Sequence, residues 1–300
     1  MPVTSSAFRS VLFAAPHEAA PTAGSQVPRR SEAVASAASI LLFDLEDTVP
    51  ESEKAARRKQ ILDVDVPRER TWVRINHEDH AGWAEDIRVA AATASIVMVP
   101  KVESPDQLAR VGTALHDAGA EDVGLVALVE TARGLRNLDR ICSQGEPPLA
   151  LVAGIGDLTR DTNTQYTGIG EFENYVRAQL VEASAAHSLT APIDTASLFV
   201  GDTDFLRDEC RLAKRMGFTS KLCLTLQDVE VVMDEFGVTD AEIDHALAIV
   251  HAYQCALDAG QGQVVARGVI VDVPTVERAK DVLRASGRDV FTDDGPRRGA

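Results

Sequence analysis

The amino-acid sequence predicts an α/β protein, a (β/α)₈ barrel of the TIM type with a C-terminal helical and extended extension. Three observations lead there. Eight short apolar runs recur, each followed by an amphipathic or Ala-rich segment. The runs are near-continuous rather than alternating, the pattern of parallel strands buried on both faces. Polar residues then collect at the C-terminal ends of many different runs, as the top face of a barrel requires. An open doubly wound sheet would gather them at one switch point instead.

The first run, Arg9–Ala15, lacks signal-peptide architecture and reads as a strand. Residues 16–30 are loop-like and lead into a short helix through Ala38, with Arg29 and Arg30 at its edge. The second run is Ser39–Asp44. Its helix has Pro50 just inside its start, Glu51 and Glu53 early and Arg57, Arg58 and Lys59 late, which suits the helix dipole. Thr71–Asn76 is third, before a helix near Gly82–Ala92. Ser95–Lys101 is fourth, before a helix from Ser104 with Pro105 at its first position.

The fifth run opens Leu125–Leu135 (LVALVETARGL), a strand that delivers Glu130 at its end and then turns into a helix. Leu149–Asp161 (LALVAGIGDLTRD) does the same with Asp157. The seventh run is Ala196–Val200, before a helix to Met216. The eighth is Ser220–Thr225, before a helix near Gln227–Phe236. Beyond these, Thr239–Ala259 reads as one long helix, Val264–Val273 as extended and Pro274–Ala285 as a helix. The expected division is a catalytic barrel over residues 1–236, an extension or lid over 237–287 that contacts a neighbouring subunit, and a flexible tail over 288–300.

Composition sets broad limits. With 300 residues, 45% of them hydrophobic and 25% charged, the chain is an ordinary globular protein. A formal charge of −16 argues against a nucleic-acid surface and against binding to anionic membranes, both of which need clustered Lys and Arg. No apolar run reaches the length of a membrane span. The four cysteines show no C-x-x-C spacing and suit reduced thiols in a cytoplasmic protein. G-x-S-x-G, P-loop and H-E-x-x-H motifs are absent, which removes the commonest serine hydrolase, NTPase and zinc protease readings.

The strand ends carry the chemistry. Glu130 and Asp157, on consecutive strands, suit a hard divalent cation such as Mg²⁺, which takes oxygen ligands and keeps several waters. They equally suit acids that cap the helices after them. Arg74 ends an apolar strand, where a cation needs an anionic partner; Asp44, Glu46 and Asp47 are the candidates. It could also stabilise negative charge on a substrate oxygen. Lys101 is a further strand-end cation. Gly154–Leu158 (GIGDL) permits close backbone approach and offers N–H groups to a carboxylate, but lacks the spacing of a dinucleotide fingerprint. His77 and His80 read as solvated loop histidines rather than metal ligands.

Taken together, RSVLFAAP, DLEDTVPESEKAAR, WVRIN, VMVPKVESPDQL, LVALVETARGL, AGIGDLTRDT, YVRAQLVEASAAHSLTAPIDT, GDTDFLRDECRLAKRMGF and VIVDVPTVERAKDVL make the chain resemble the citrate lyase β-subunit-like family of the HpcH/HpaI aldolase superfamily. Malyl-CoA and citramalyl-CoA lyases are similar. The resemblance runs through nearly the whole chain. It implies an Mg²⁺-dependent barrel that forms trimers or hexamers. Glu130 and Asp157 match the metal carboxylates, and Arg74 the arginine over the reacting oxygen. Glu46 and Asp47 match acids that support metal waters and substrate. The backbone of Gly156, Asp157 and Leu158 matches the holder of a keto-acid carboxylate. Asp272 matches an aspartate that serves the neighbouring subunit's site, and Arg9 a position near the CoA entrance.

Two stretches depart from that pattern: Cys223–Gln227 (CLTLQ) replaces an Ile-His-Pro, and the loop after the first strand lacks a Pro-Gly turn. The implied activity is aldol- or Claisen-type cleavage of a β-hydroxy acid or its acyl-CoA thioester to an α-keto acid and an acetyl-type fragment. A thioesterase or a non-catalytic barrel subunit are the alternatives.

Overall fold

A computed structural model describes residues 8–18 and 27–288. The chain divides into two compact units, Met1–Phe236 and Gly237–Ala300. The first is a closed barrel of eight parallel strands in sequence order: β1 (Ser10–Phe13), β2 (Ile40–Asp44), β3 (Thr71–Arg74), β4 (Ile96–Val99), β5 (Gly124–Val129), β6 (Ala150–Ala153), β7 (Ile193–Asp194) and β8 (Ser220–Cys223). β8 pairs back onto β1, so no strand edge is left open.

Strand periodicity sorts the side chains into two layers. Val11, Phe13, Ile40, Leu42, Trp72, Met98, Val126, Leu128, Val152, Ile193 and Leu222 form one buried cluster without helical members, the barrel interior. Their alternates, among them Leu41, Phe43, Val73, Val97, Ala127, Val129 and Leu151, pack with helical residues. Asp44, Arg74 and Glu130 continue the inward set of their strands. Asp194 and Lys221 belong to the outward set, facing the helices.

Between strands lie α1 (Arg30–Ala35), α2 (Glu51–Leu62), α3 (Trp83–Thr93), α4 (Pro105–Asp117), α5 (Ala132–Arg136), α6 (Leu138–Ser143), α7 (Ile155–Thr162), α8 (Glu171–Ala186) and α9 (Thr203–Met216), with α10 (Leu226–Glu235) after β8. Pro50 stands at the N-cap of α2, one position before the helix rather than inside it. Ser104 caps α4 in a capping box with Gln107.

One strand differs from the sequence reading. The seventh is Ile193–Asp194, not Ala196–Val200. Leu198, Phe199 and Val200 are exposed in the loop that follows. An apolar-run criterion skips the true strand because its Asp194 is fully buried as an ion pair, with Arg177 Nε at 2.8 Å and Lys221 Nζ at 2.7 Å. The 16-residue α8, which supplies Arg177, had no counterpart in the sequence reading.

The second unit contains α11 (Asp240–Asp258), an antiparallel hairpin of β9 (Val264–Ala266) and β10 (Val269–Val271), and α12 (Val273–Ala285). Ile243, Ala246, Ile249, Val271, Ala279 and Leu283 form its core. Of the expected tail, residues 289–300 lie outside the described residues, as do 19–26 of the first loop. No helix among the described residues is long and apolar enough to cross a membrane.

Candidate active site

The site begins with register. Asp44 and Arg74 are paired neighbours at the ends of β2 and β3. Arg74 donates from Nε to Asp44 Oδ1 and from Nη2 to Asp44 Oδ2, both at 2.6 Å. This is the two-pronged geometry that a guanidinium makes with a carboxylate. Asp44 also accepts from the N–H groups of Glu46 and Thr48 and from the Thr48 hydroxyl. Burial opposes ionisation of Asp44, but the Arg74 charge and these hydrogen bonds hold its pKa down to about 2. Arg74 remains a cation despite its burial, with the Phe13 ring centroid 5.3 Å from its Cζ.

Glu46 extends this pair. Its Oε2 lies 3.1 Å from Arg74 Nη1, an ion contact without hydrogen-bond alignment, so the buried oxygen is left unsatisfied. Its Oε1 accepts from Lys101 Nζ, which also donates to Asp47 Oδ2 at 2.9 Å. Lys101 follows β4 in the left-handed region at φ 50°. Its backbone N–H donates to Glu130 Oε1 at 2.8 Å. Lys101 thus connects three acids, a role that its place at a strand end did not reveal.

Glu130 directly follows β5 and is buried. It does not cap the helix after it; Thr131 does, accepting from Gly134 N–H. Burial pushes the Glu130 carboxyl up to about 8, with the Glu46 and Asp157 charges adding and Arg74 and Lys101 opposing. Gly154, at the N-cap of α7, makes room for it: a Cβ there would lie 2.4 Å from Glu130 Cβ. Asp157 stands in the first turn of α7 rather than at the strand end, half-exposed, 3.7 Å from Arg160 Nη1. A first-turn acid also suits the helix dipole.

Several predicted residues have other local partners. The Leu158 N–H donates to Gly154 O, so it is spent inside α7; Gly156 and Asp157 precede that first helical bond. Arg9 precedes β1, with its N–H on Ser39 Oγ and its carbonyl accepting from Lys221. That is the N-terminal end of the barrel, opposite the acids. Asp272 belongs to the second unit, where it caps α12 by accepting from Thr275 N–H and hydroxyl, which lower its pKa. His77 and His80 hold loop contacts to Gln107 and Glu51.

Among the described residues no three His, Cys, Asp or Glu side chains converge as a closed metal cage. The acids fit a cation that needs few protein ligands. Glu130 is a carboxyl whose pKa is raised chiefly by burial, and Glu46 Oε2 is a buried oxygen without a donor. The donors are all oxygen. That chemistry suits a hard, water-retaining divalent cation and not zinc.

Fold and rim place the chain among the (β/α)₈ barrels that gather acidic and cationic side chains where the strands end. More narrowly, it belongs to the HpcH/HpaI aldolase/citrate lyase family, which it matches over residues 23–225. It is 30% identical over 266 residues to a citrate lyase subunit beta-like protein of Mycobacterium tuberculosis, covering 87% of this chain and 92% of that one. It is 30% identical over 290 residues to a (3S)-malyl-CoA thioesterase of Cereibacter sphaeroides, covering 92% and 93%. The structure of the CitE protein of M. tuberculosis in complex with magnesium, acetoacetate and coenzyme A superimposes with a TM-score of 0.78 at 26% identity, covering 95% of this chain and all of that one.

Proposed function

We propose that this protein is an Mg²⁺-dependent carbon–carbon lyase. Its substrate is a β-hydroxy acid or the acyl-CoA thioester of one, and its products an α-keto acid and an acetyl-type fragment. The observation that carries this reading is Glu130, buried at the end of β5 among Glu46, Asp157, Arg74 and Lys101, with its pKa raised to about 8. Such perturbation within a strand-end cluster marks a functional site. Magnesium, acetoacetate and coenzyme A in the M. tuberculosis neighbour support the cofactor and the substrate class.

In this proposal Glu130 and Asp157 hold the ion, which supplies Lewis acidity and a template for the carboxylate and the adjacent hydroxyl. The first N–H groups of α7, at Gly156 and Asp157, hold the substrate carboxylate. Asp44 fixes the Arg74 plane, and Arg74 stabilises charge on the hydroxyl oxygen as it becomes a carbonyl. Glu46 steadies Arg74 from its other side, and Asp47 lines the entrance. Cleavage releases the hydroxyl proton to solvent as the carbonyl forms and sends the electron pair of the broken C–C bond to the acyl fragment as an enolate, which then takes a proton at carbon. Asp272 of a neighbouring copy is the proposed proton carrier. Exposed Val265, Ile270 and Val273 beside it are apolar surface of the kind that subunit contacts bury, which supports a homo-oligomer.

A second reading has its own support: the thioesterase relative is as similar as the lyase-like one. Incubation with malyl-CoA separates them. A lyase releases glyoxylate and acetyl-CoA, and a thioesterase releases malate and free CoA; EDTA should stop either. Release of none of these with Mg²⁺ present would exclude malyl-CoA as the substrate in either reading.

A further inference from the structure

Lys101 is held more firmly than a surface lysine needs to be. Its N–H is fixed by Glu130 Oε1 at 2.8 Å, and its carbonyl accepts from Gln107 Nε2 at 3.3 Å. Gln107 is itself clamped, with Oε1 accepting from the N–H groups of Glu103 and Ser104. These contacts pin residue 101 at φ 50°, a conformation that an L residue seldom adopts. From that backbone the ammonium reaches Glu46 and Asp47. Five acids (Asp44, Glu46, Asp47, Glu130 and Asp157) then stand against three cations, of which exposed Arg160 lies 3.7 Å from Asp157. Arg74 is committed to Asp44 and Glu46. Lys101 is the cation whose ammonium meets Glu46 and Asp47 while its N–H holds Glu130.

We infer that Lys101 is a positioning residue that serves as the resident counter-cation of the metal site. Its ammonium keeps the acid cluster folded before the metal arrives and thereby sets a weak resting affinity for it. The inference rests on the metal reading of Glu130 and Asp157. Its physical content is competition. A fixed positive charge beside the carboxylates lowers the negative potential that draws a divalent cation, without supplying a ligand. Removing the charge should therefore tighten metal binding, whereas removing a residue that supports the ligands would loosen it. The backbone N–H to Glu130 survives side-chain substitution, so the two effects separate.

The test is calorimetric titration of the full chain with MgCl₂ alone, for wild type, Lys101→Met, Lys101→Arg and Glu130→Gln. Lys101→Met keeps the aliphatic stem and loses the charge. It should bind Mg²⁺ about tenfold more tightly, while Lys101→Arg stays within about twofold of wild type. Thermal melts supply a second readout. The Met variant should melt lower than wild type in EDTA and recover in Mg²⁺. Unchanged or weaker binding by Lys101→Met overturns the inference, as does an equal loss of melting temperature with and without metal. Binding by wild type that survives Glu130→Gln overturns the metal reading itself, and so does silence of every protein; the role given to Lys101 falls with it.

Discussion

A Cβ at position 154 would lie 2.4 Å from the Cβ of Glu130 and 3.1 Å from its Oε2. Glycine at the head of α7 is therefore what allows the carboxylate at the end of β5 to stand where it does. Gly154→Ala should displace Glu130 and weaken Mg²⁺ binding by roughly 10–100-fold, the range for losing an orienting neighbour. Titration calorimetry checks it; affinity equal to wild type would show that Glu130 is placed by other contacts.

Arg74 shares two 2.6 Å hydrogen bonds with Asp44. Lysine cannot reproduce that fork. Arg74→Lys should lower kcat by about 100-fold or more, the scale for loss of an oxyanion donor, with little change in Mg²⁺ affinity. Steady-state kinetics and a parallel metal titration decide it. A change confined to KM would reassign Arg74 to ground-state binding.

The pH dependence of metal binding follows from Glu130. Its folded pKa, about 8, lies above the ordinary 4.5, so its contribution to metal-free stability is complete below 4.5 and is lost as pH rises through 8. A cation needs the ionised form and must displace the proton below that point. Mg²⁺ affinity should rise by up to about tenfold per pH unit between 6 and 8 and then level off. The increase in melting temperature on adding Mg²⁺ should be larger at pH 8.5 than at pH 6.5. A flat profile would contradict a protonated Glu130.

Asp44 has the opposite sign. Its pKa, about 2 against the ordinary 3.8, gives stability that is present above 3.8 and lost as pH falls through 2. Its share is roughly 2 kcal/mol. Asp44→Asn should lose that increment at neutral pH and flatten the acid limb of the urea-denaturation profile below pH 4.

The second buried ion set should matter for stability alone. Arg177, Asp194 and Lys221 are fully buried on the helix-facing side of β7 and β8. Lys221→Met leaves Asp194 with Arg177 only and should cost about 3–5 kcal/mol in urea denaturation. Mg²⁺ affinity should stay as in wild type.

The barrel was legible because five of its strands are nearly pure apolar runs, and because the acids and cations that follow the strands fall on one end of the chain's repeating unit. Glu130 was legible for the same reason: it follows Val129 without a break. Asp157 was placed one turn too early, since apolar Ile155 continues the look of a strand into α7. β7 was misplaced because a buried ion pair reads as a polar interruption. Asp272 has the spacing of a helix cap, and that is the contact the second unit shows.

The sequence by itself determined the alternation of strands and helices, the family, and which residues end each strand, because periodicity and local spacing are properties of neighbours in the chain. Only the tertiary structure decided which charges meet. Arg74 takes Asp44, 30 residues away, because parallel register sets them side by side. Lys101 bridges acids more than 50 residues earlier and one 29 residues later because barrel closure brings three strand ends to one rim. Charge pairing depends on distances of a few ångströms, and those arise from the folded arrangement of the strands rather than from their order.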